Sequence, residues 1–117
     1  MAIAHSGTPP QPYYKRVNGV LVTIEPLELV VILGGAAVKR YPVFQFHRYR
    51  VRGDVAQVIE LFRSIGLSDQ DIVNWFHTPN PVLLGSAQPV DLVGTSSPDL
   101  FPAAKRHASQ IQAQGGP

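Results

Sequence analysis

Pro79 and Pro81 set the firmest boundary in this chain. A proline disfavours helical dihedrals in the residue before it and has no amide hydrogen of its own. A helix running through Trp75 and Phe76 must therefore stop by Thr78. The run Thr78-Pro79-Asn80-Pro81-Val82-Leu83-Leu84-Gly85 reads as a rigid corner that fixes the angle between its flanking elements at low entropic cost. Beyond it, Pro89-Val90-Asp91-Leu92-Val93 starts on proline and ends before Gly94, which predicts one short helical turn. Trp75, Phe76 and Leu84 are the core side chains expected around the corner.

Upstream, Val55, Val58, Ile59, Phe62 and Ile65 recur every three or four residues, as on one face of a helix. Asp54 is its expected cap and Gly66 its left-handed stop. Ser68 can cap the next helix by accepting the amide hydrogen of Asp71, with Leu67 and Ile72 spaced as a hydrophobic staple. Pro102 sits where an uninterrupted helix would need a donor. The last helix is therefore predicted from about Phe101 or Pro102 to Ser109. The expected core is Val58, Ile59, Phe62, Ile65, Ile72, Trp75, Phe76, Leu84, Leu92, Phe101 and Ala104.

Residues 17–46 fit two readings. Val20, Val22, Ile24, Val30, Val31 and Ile32 favour pleated structure, and Gly34-Gly35 between two apolar runs is a two-residue hairpin signal. Thr23, Pro26 and Glu28 also fit a short capped helix ending at Gly34. The hairpin is favoured. The fold class expected is mainly α: a compact small helical domain preceded by a short β-hairpin-like N-terminal element. The divisions are a flexible tail over 1–14, a small β-rich element over 15–53, the helical domain over 54–109, and a second flexible tail over 110–117.

With 117 residues, 44% hydrophobic and 15% charged, the chain suffices for one domain with a real core. The absence of cysteine excludes a disulfide scaffold, a thiolate zinc site and a cysteine nucleophile. No apolar run reaches the length of a bilayer span, and the first ten residues lack the pattern of a secretion signal, so a cytoplasmic protein is expected. His5, His47, His77 and His107 show no paired ligand spacing, and no serine lies in a nucleophile elbow. The chain is read as a non-enzyme needing no cofactor or metal.

Charge is unevenly placed. Lys39, Arg40, Arg48, Arg50 and Arg52 fall together without an acid among them, whereas Arg63 alone opposes six acids between 54 and 99. If 47–52 is extended, Arg48, Arg50 and Arg52 share one face and could follow a phosphate backbone, so DNA is a candidate partner. The ordinary explanation is an edge strand kept soluble by charge. A basic half and an acidic half can also dock two copies head to tail.

The pattern around the corner resembles the C-terminal toxin-binding domain of ParS/MbcA/Xre-type antitoxins, which partner RES-domain toxins. Trp75, Phe76, Thr78, Pro79, Asn80, Leu84 and Gly85 match that family's Trp-Leu-x-Thr-Pro-Asn and Leu-Gly elements. Pro89, Val90, Asp91, Leu92 and Val93 match its Pro-Leu-Asp-Leu-Leu, and Ala103, Ala104 and Ala108 its alanine-rich final helix. Tyr41-Pro42-Val43-Phe44-Gln45-Phe46 is similar to its Pro-Ala-Phe-Gln-Phe. The resemblance spans 41–108; residues 1–40 are short and β-like where family members carry a helix-turn-helix. It implies a non-catalytic protein that binds a RES toxin and covers its NAD-consuming site. The chain is expected to be dimeric; besides a nucleic-acid-binding regulator, the alternative is a structural assembly protein that has kept the fold.

Apolar residues that share one core should bring the corner and the last helix together, with Asn80, Lys105, Arg106 and Gln110 towards one partner-binding edge. Removal of residues 103–117 is then expected to leave a folded domain that no longer neutralises a toxin.

Overall fold

The computed structural model describes residues 9–114. Three hairpins come first. Strands β1 (Tyr13–Val17) and β2 (Val20–Ile24) pair across Asn18-Gly19. Strands β3 (Leu29–Leu33) and β4 (Ala36–Arg40) pair across Gly34-Gly35. The two-residue strands β5 (Phe46–His47) and β6 (Arg50–Val51) pair across Arg48-Tyr49. In the first two turns both central residues have positive φ (51° and 81°, then 57° and 81°), the twist that a two-residue turn needs to match its strands. Asn-Gly and Gly-Gly adopt it at little cost. Of the two readings of 17–46, the hairpin is the one observed.

Helices α1 (Gly53–Ser64), α2 (Asp69–Phe76) and α3 (Leu100–Gln114) follow, with 3-10 turns at Leu84–Ser86 and Pro89–Leu92 and an earlier one at Val43–Gln45. The expectation of a mainly helical fold is corrected. The described residues are 42% helical and 24% strand, with six strands in three small antiparallel sheets, which is a mixed α/β architecture. The reason is local: β-branched residues crowd β2 and β3, and three turns each reverse the chain, so strand structure occupies most of 13–51.

One core joins both halves. Ile24, Leu27, Leu29, Phe46 and Val51 from the hairpin region are buried with Val55, Val58, Ile59 and Phe62 of α1, Ile72, Trp75 and Phe76 of α2, and Leu100, Ala103, Ala104 and Ala108 of α3. The small alanine side chains let α3 lie close against α1. Arg63 ties the β2–β3 connection to the helices. It donates to the carbonyls of Glu25 (2.7 Å) and Pro26 (3.0 Å) and, through two nitrogens, to the carboxylate of Asp69 (3.1 and 3.0 Å). Asp69 also accepts the Glu28 amide hydrogen at 2.9 Å.

Helix ends follow the sequence in part. Ser68 and Asp71 form the reciprocal capping box at the start of α2. Gly66 terminates α1, its amide bonding the Arg63 carbonyl while that of Leu67 bonds Phe62. Asp54, however, is not the cap of α1. Arg52 holds that position, and Asp54 lies in the first turn, accepting from Arg52 Nε (3.2 Å) and the Gly94 amide (2.8 Å). The last helix begins earlier and ends later than expected. Pro102 falls in its first turn, where backbone amides have no intrahelical partner, and the first i→i−4 bond is that of Ala103 to Asp99.

Three further expectations change. Leu84 is 96% exposed, and Leu83 takes the core position beneath the corner. The expected tail over 1–14 is strand from Tyr13, with Gln11 bonded to Tyr49 and Val51; the tail over 110–117 is helix as far as Gln114. Residues 1–8 and 115–117 of the two expected tails lie outside the described residues. Ala103, Ala104 and Ala108 are core, so the truncation expected to leave a folded domain would remove all three from the packed interior.

Candidate functional site

The corner is built from backbone and side-chain hydrogen bonds that the sequence places locally. Thr78 Oγ1 donates to the Asn74 carbonyl at 2.6 Å as α2 ends. After Pro79, the Asn80 amide donates to the Ala87 carbonyl at 3.0 Å and closes the loop. Asn80 Oδ1 accepts the Val82 amide hydrogen at 3.0 Å, and the Asn80 carbonyl accepts that of Leu83 at 3.0 Å. An asparagine side chain bonding two residues ahead is a turn-forming device. Asn80 thus shapes the loop with its oxygen, and among the described residues its side-chain amide group donates no hydrogen bond.

Beside this loop runs α3. Together they enclose an open cleft of about 250 Å³ lined on one side by Trp75 and Thr78–Val82 and on the other by Ala103, Arg106, His107 and Gln110. Three of the four partner-binding residues read from sequence, Asn80, Arg106 and Gln110, meet here. The fourth does not: Lys105 points away, its ammonium 5.9 Å from the ring centre of Phe101. Successive helix positions are rotated by about 100°, and that turn carries Lys105 out of the cleft while Arg106 and His107 line it.

Trp75 and His107 form the floor and were not read as site residues. Trp75 packs edge-on against Phe62 (5.0 Å between ring centres) and Phe76 (5.1 Å). His107 lies edge-on to Phe62 at 5.6 Å and 6.2 Å from Trp75. Burial lowers the His107 pKa below its ordinary value of 6.5, which favours the neutral ring. The available signal was spacing: His107 follows Ala103 and Ala104 by four and three residues, on the face that α3 buries.

The cleft offers one guanidinium, two carboxamides, a hydroxyl and the edge of an indole. Among the described residues no carboxylate pairs with Arg106. Such a set suits a peptide segment: an apolar side chain on Trp75 and the prolines, backbone amides at Asn80 and Gln110, and an anion at Arg106.

The basic segment is dispersed by the fold. The alternating face expected over 47–52 does not form, because the chain reverses at Arg48-Tyr49 and Arg48 takes a left-handed φ of 61°. Arg50 lies 5.4 Å over the Tyr14 ring, Arg52 pairs with Asp54, and Lys39 pairs with Glu28 at 3.4 Å. Lys39 and Arg40 belong to β4, a different hairpin from Arg48 and Arg50.

No family model, curated protein or solved structure matches the chain. Among the described residues, no helix is long and apolar enough to cross a membrane, and no cluster of three metal-ligating side chains occurs.

Proposed function

We propose that this chain is a cytoplasmic, non-catalytic, antitoxin-like protein that binds a RES-type toxin and occludes its NAD-consuming site. The observation that carries the reading is the convergence of the proline corner and α3 on one cleft, with Asn80, Arg106 and Gln110 at its walls. Arg106 is the residue best suited to a pocket that handles a phosphate-bearing substrate, since a guanidinium meets phosphate or carboxylate with two parallel hydrogen bonds. The rigid loop at 80–87 supports the same reading, because a preformed surface loses little entropy on docking. The protein needs no cofactor or metal in this role and acts as a homo-oligomer.

Nucleic-acid binding is the lesser reading. Arg48 and Arg50 stand on one exposed turn with His47 and Tyr49, but Arg52 and Lys39 are engaged with carboxylates.

The test is co-purification of the tagged chain from its native host, followed by co-expression with the RES-domain protein recovered. Neutralisation by the parent and its loss in Arg106→Glu supports the proposal. Recovery of the chain alone at native expression, or full neutralisation by Arg106→Glu, refutes it.

A further inference from the structure

The arm formed by β3, β4 and their turn differs from the rest of the surface. Leu29 to Val38 reads Leu-Val-Val-Ile-Leu-Gly-Gly-Ala-Ala-Val, without one charged or polar side chain. Val30 is 62% and Ile32 68% exposed, and Leu33, Ala36 and Ala37 are exposed beside them. A two-stranded ribbon is marginal in water, and an apolar strand with open edge groups is a template for another strand. The β1–β2 hairpin shows the usual remedy: it carries Lys15, Arg16 and Thr23.

The backbone register says which groups are open. A two-residue turn closes on the hydrogen-bonded pair Leu33–Ala36, so the pairs Val31–Val38 and Leu29–Arg40 are bonded as well. Val30 and Ile32 therefore aim their amide and carbonyl groups away from β4, along the outer edge of β3. The two edges of the arm are unequal. β4 carries Lys39 and Arg40, the kind of side chains that blunt an edge; β3 carries no charge and no proline.

We propose that β3 is a dimerisation edge, pairing antiparallel with β3 of a second copy about a two-fold axis at Val31. The product is a four-stranded sheet in the order β4-β3-β3-β4. Val30 then lies opposite Ile32 of the second copy and exchanges both backbone bonds with it, and Leu29 lies opposite Leu33 of the second copy. The two-fold generates about four new backbone hydrogen bonds between β-branched cross-strand pairs. Every opposed pair is apolar, and no like charges meet. Lys39 and Arg40 come to the two outer edges, where they stop further addition, so the assembly closes at two. A lipid surface would cover the side chains but leave the edge amides and carbonyls unbonded.

The test measures solution mass first, by sedimentation. The parent should run at twice its 12.8 kDa. Val30→Lys/Ile32→Lys, which opposes ammonium groups across the axis, should run as a monomer with unchanged Trp75 emission, because neither side chain belongs to the core. Val31→Cys supplies the decisive geometry in a chain that has no cysteine of its own. The two Val31 positions would form a non-hydrogen-bonded pair with Cα atoms about 4.5 Å apart, within disulfide reach. Mild oxidation should cross-link this variant into a covalent dimer and leave Ala37→Cys uncross-linked. A monomeric or open-ended parent, a dimeric double-lysine variant, or equal cross-linking at 31 and 37 would each overturn the proposal.

Discussion

Replacing Gln45 with leucine should cost this protein a large part of its stability, although leucine is the more hydrophobic residue. Gln45 is fully buried, and its carboxamide grips both backbone groups of Leu27. Nε2 donates to the Leu27 carbonyl at 3.0 Å, and Oε1 accepts the Leu27 amide hydrogen at 2.6 Å. Leu27 is itself fully buried, in the connection between β2 and β3, so water cannot replace either bond. Leaving a buried donor or acceptor unpaired costs about 1–3 kcal/mol each, or about 2–6 kcal/mol for the two. The added apolar side chain offsets part of this, by about 1.5–3 kcal/mol at most. At the middle of both ranges a net loss of about 2 kcal/mol remains, against a total stability of about 5–15 kcal/mol for a domain of this kind. Urea denaturation followed by Trp75 fluorescence should show a lower midpoint with an unchanged slope. Gln45→Glu separates hydrogen bonding from packing. An ionised carboxylate still accepts from Leu27 but cannot donate to its carbonyl, whereas the protonated acid does both. Its folded pKa is therefore raised, and the variant should be near-native below about pH 4 and lose stability as pH rises. A leucine variant within 1 kcal/mol of the parent, or a glutamate variant insensitive to pH, would refute the clamp.

Trp75→Ala should lower stability by about 3–5 kcal/mol, since the indole packs against Phe62 and Phe76; a melt within a degree or two of the parent would reject the corner packing. The lowered pKa of His107 means that the unfolded chain binds a proton more readily than the folded one. Stability should thus be full above about pH 6.5 and fall as pH drops below it, and His107→Phe should flatten that slope in a pH series of melts. Arg106→Glu should abolish toxin neutralisation at unchanged stability, while Lys105→Glu, outside the cleft, should leave it within about twofold in a growth-rescue titration.

Several local features of this chain could be read without its structure. The end of α2 before Pro79, the Ser68 and Asp71 cap, the stop at Gly66 and the Gly34-Gly35 hairpin each depend on residues within a few positions of one another. Backbone sterics and short-range hydrogen bonds decide them wherever the segment lies. The face of α1 was legible for the same reason, because helical spacing alone brings Val55, Val58, Ile59 and Phe62 together. The Asn18-Gly19 turn carried an equally local signal and extends the strand content beyond what was expected.

What tertiary structure decided was every choice between near-equal neighbours. Leu83 and Leu84 are identical in chemistry, and only the closure of the loop between Asn80 and Ala87 puts the first inside and the second in solvent. Lys105 and Arg106 carry the same charge, and the rotation of α3 on α1 gives the cleft to Arg106. Gln45 resembles any polar residue until the buried backbone of Leu27 arrives beside it from 18 positions away. The run 48–52 alternates like a strand, but the bonds of Gln11 to Tyr49 and Val51 accompany a reversal that a period of two cannot reveal. Local rules set which segments are helix, strand or turn. Burial is a property of the assembled chain, because a side chain loses water only when distant segments close over it.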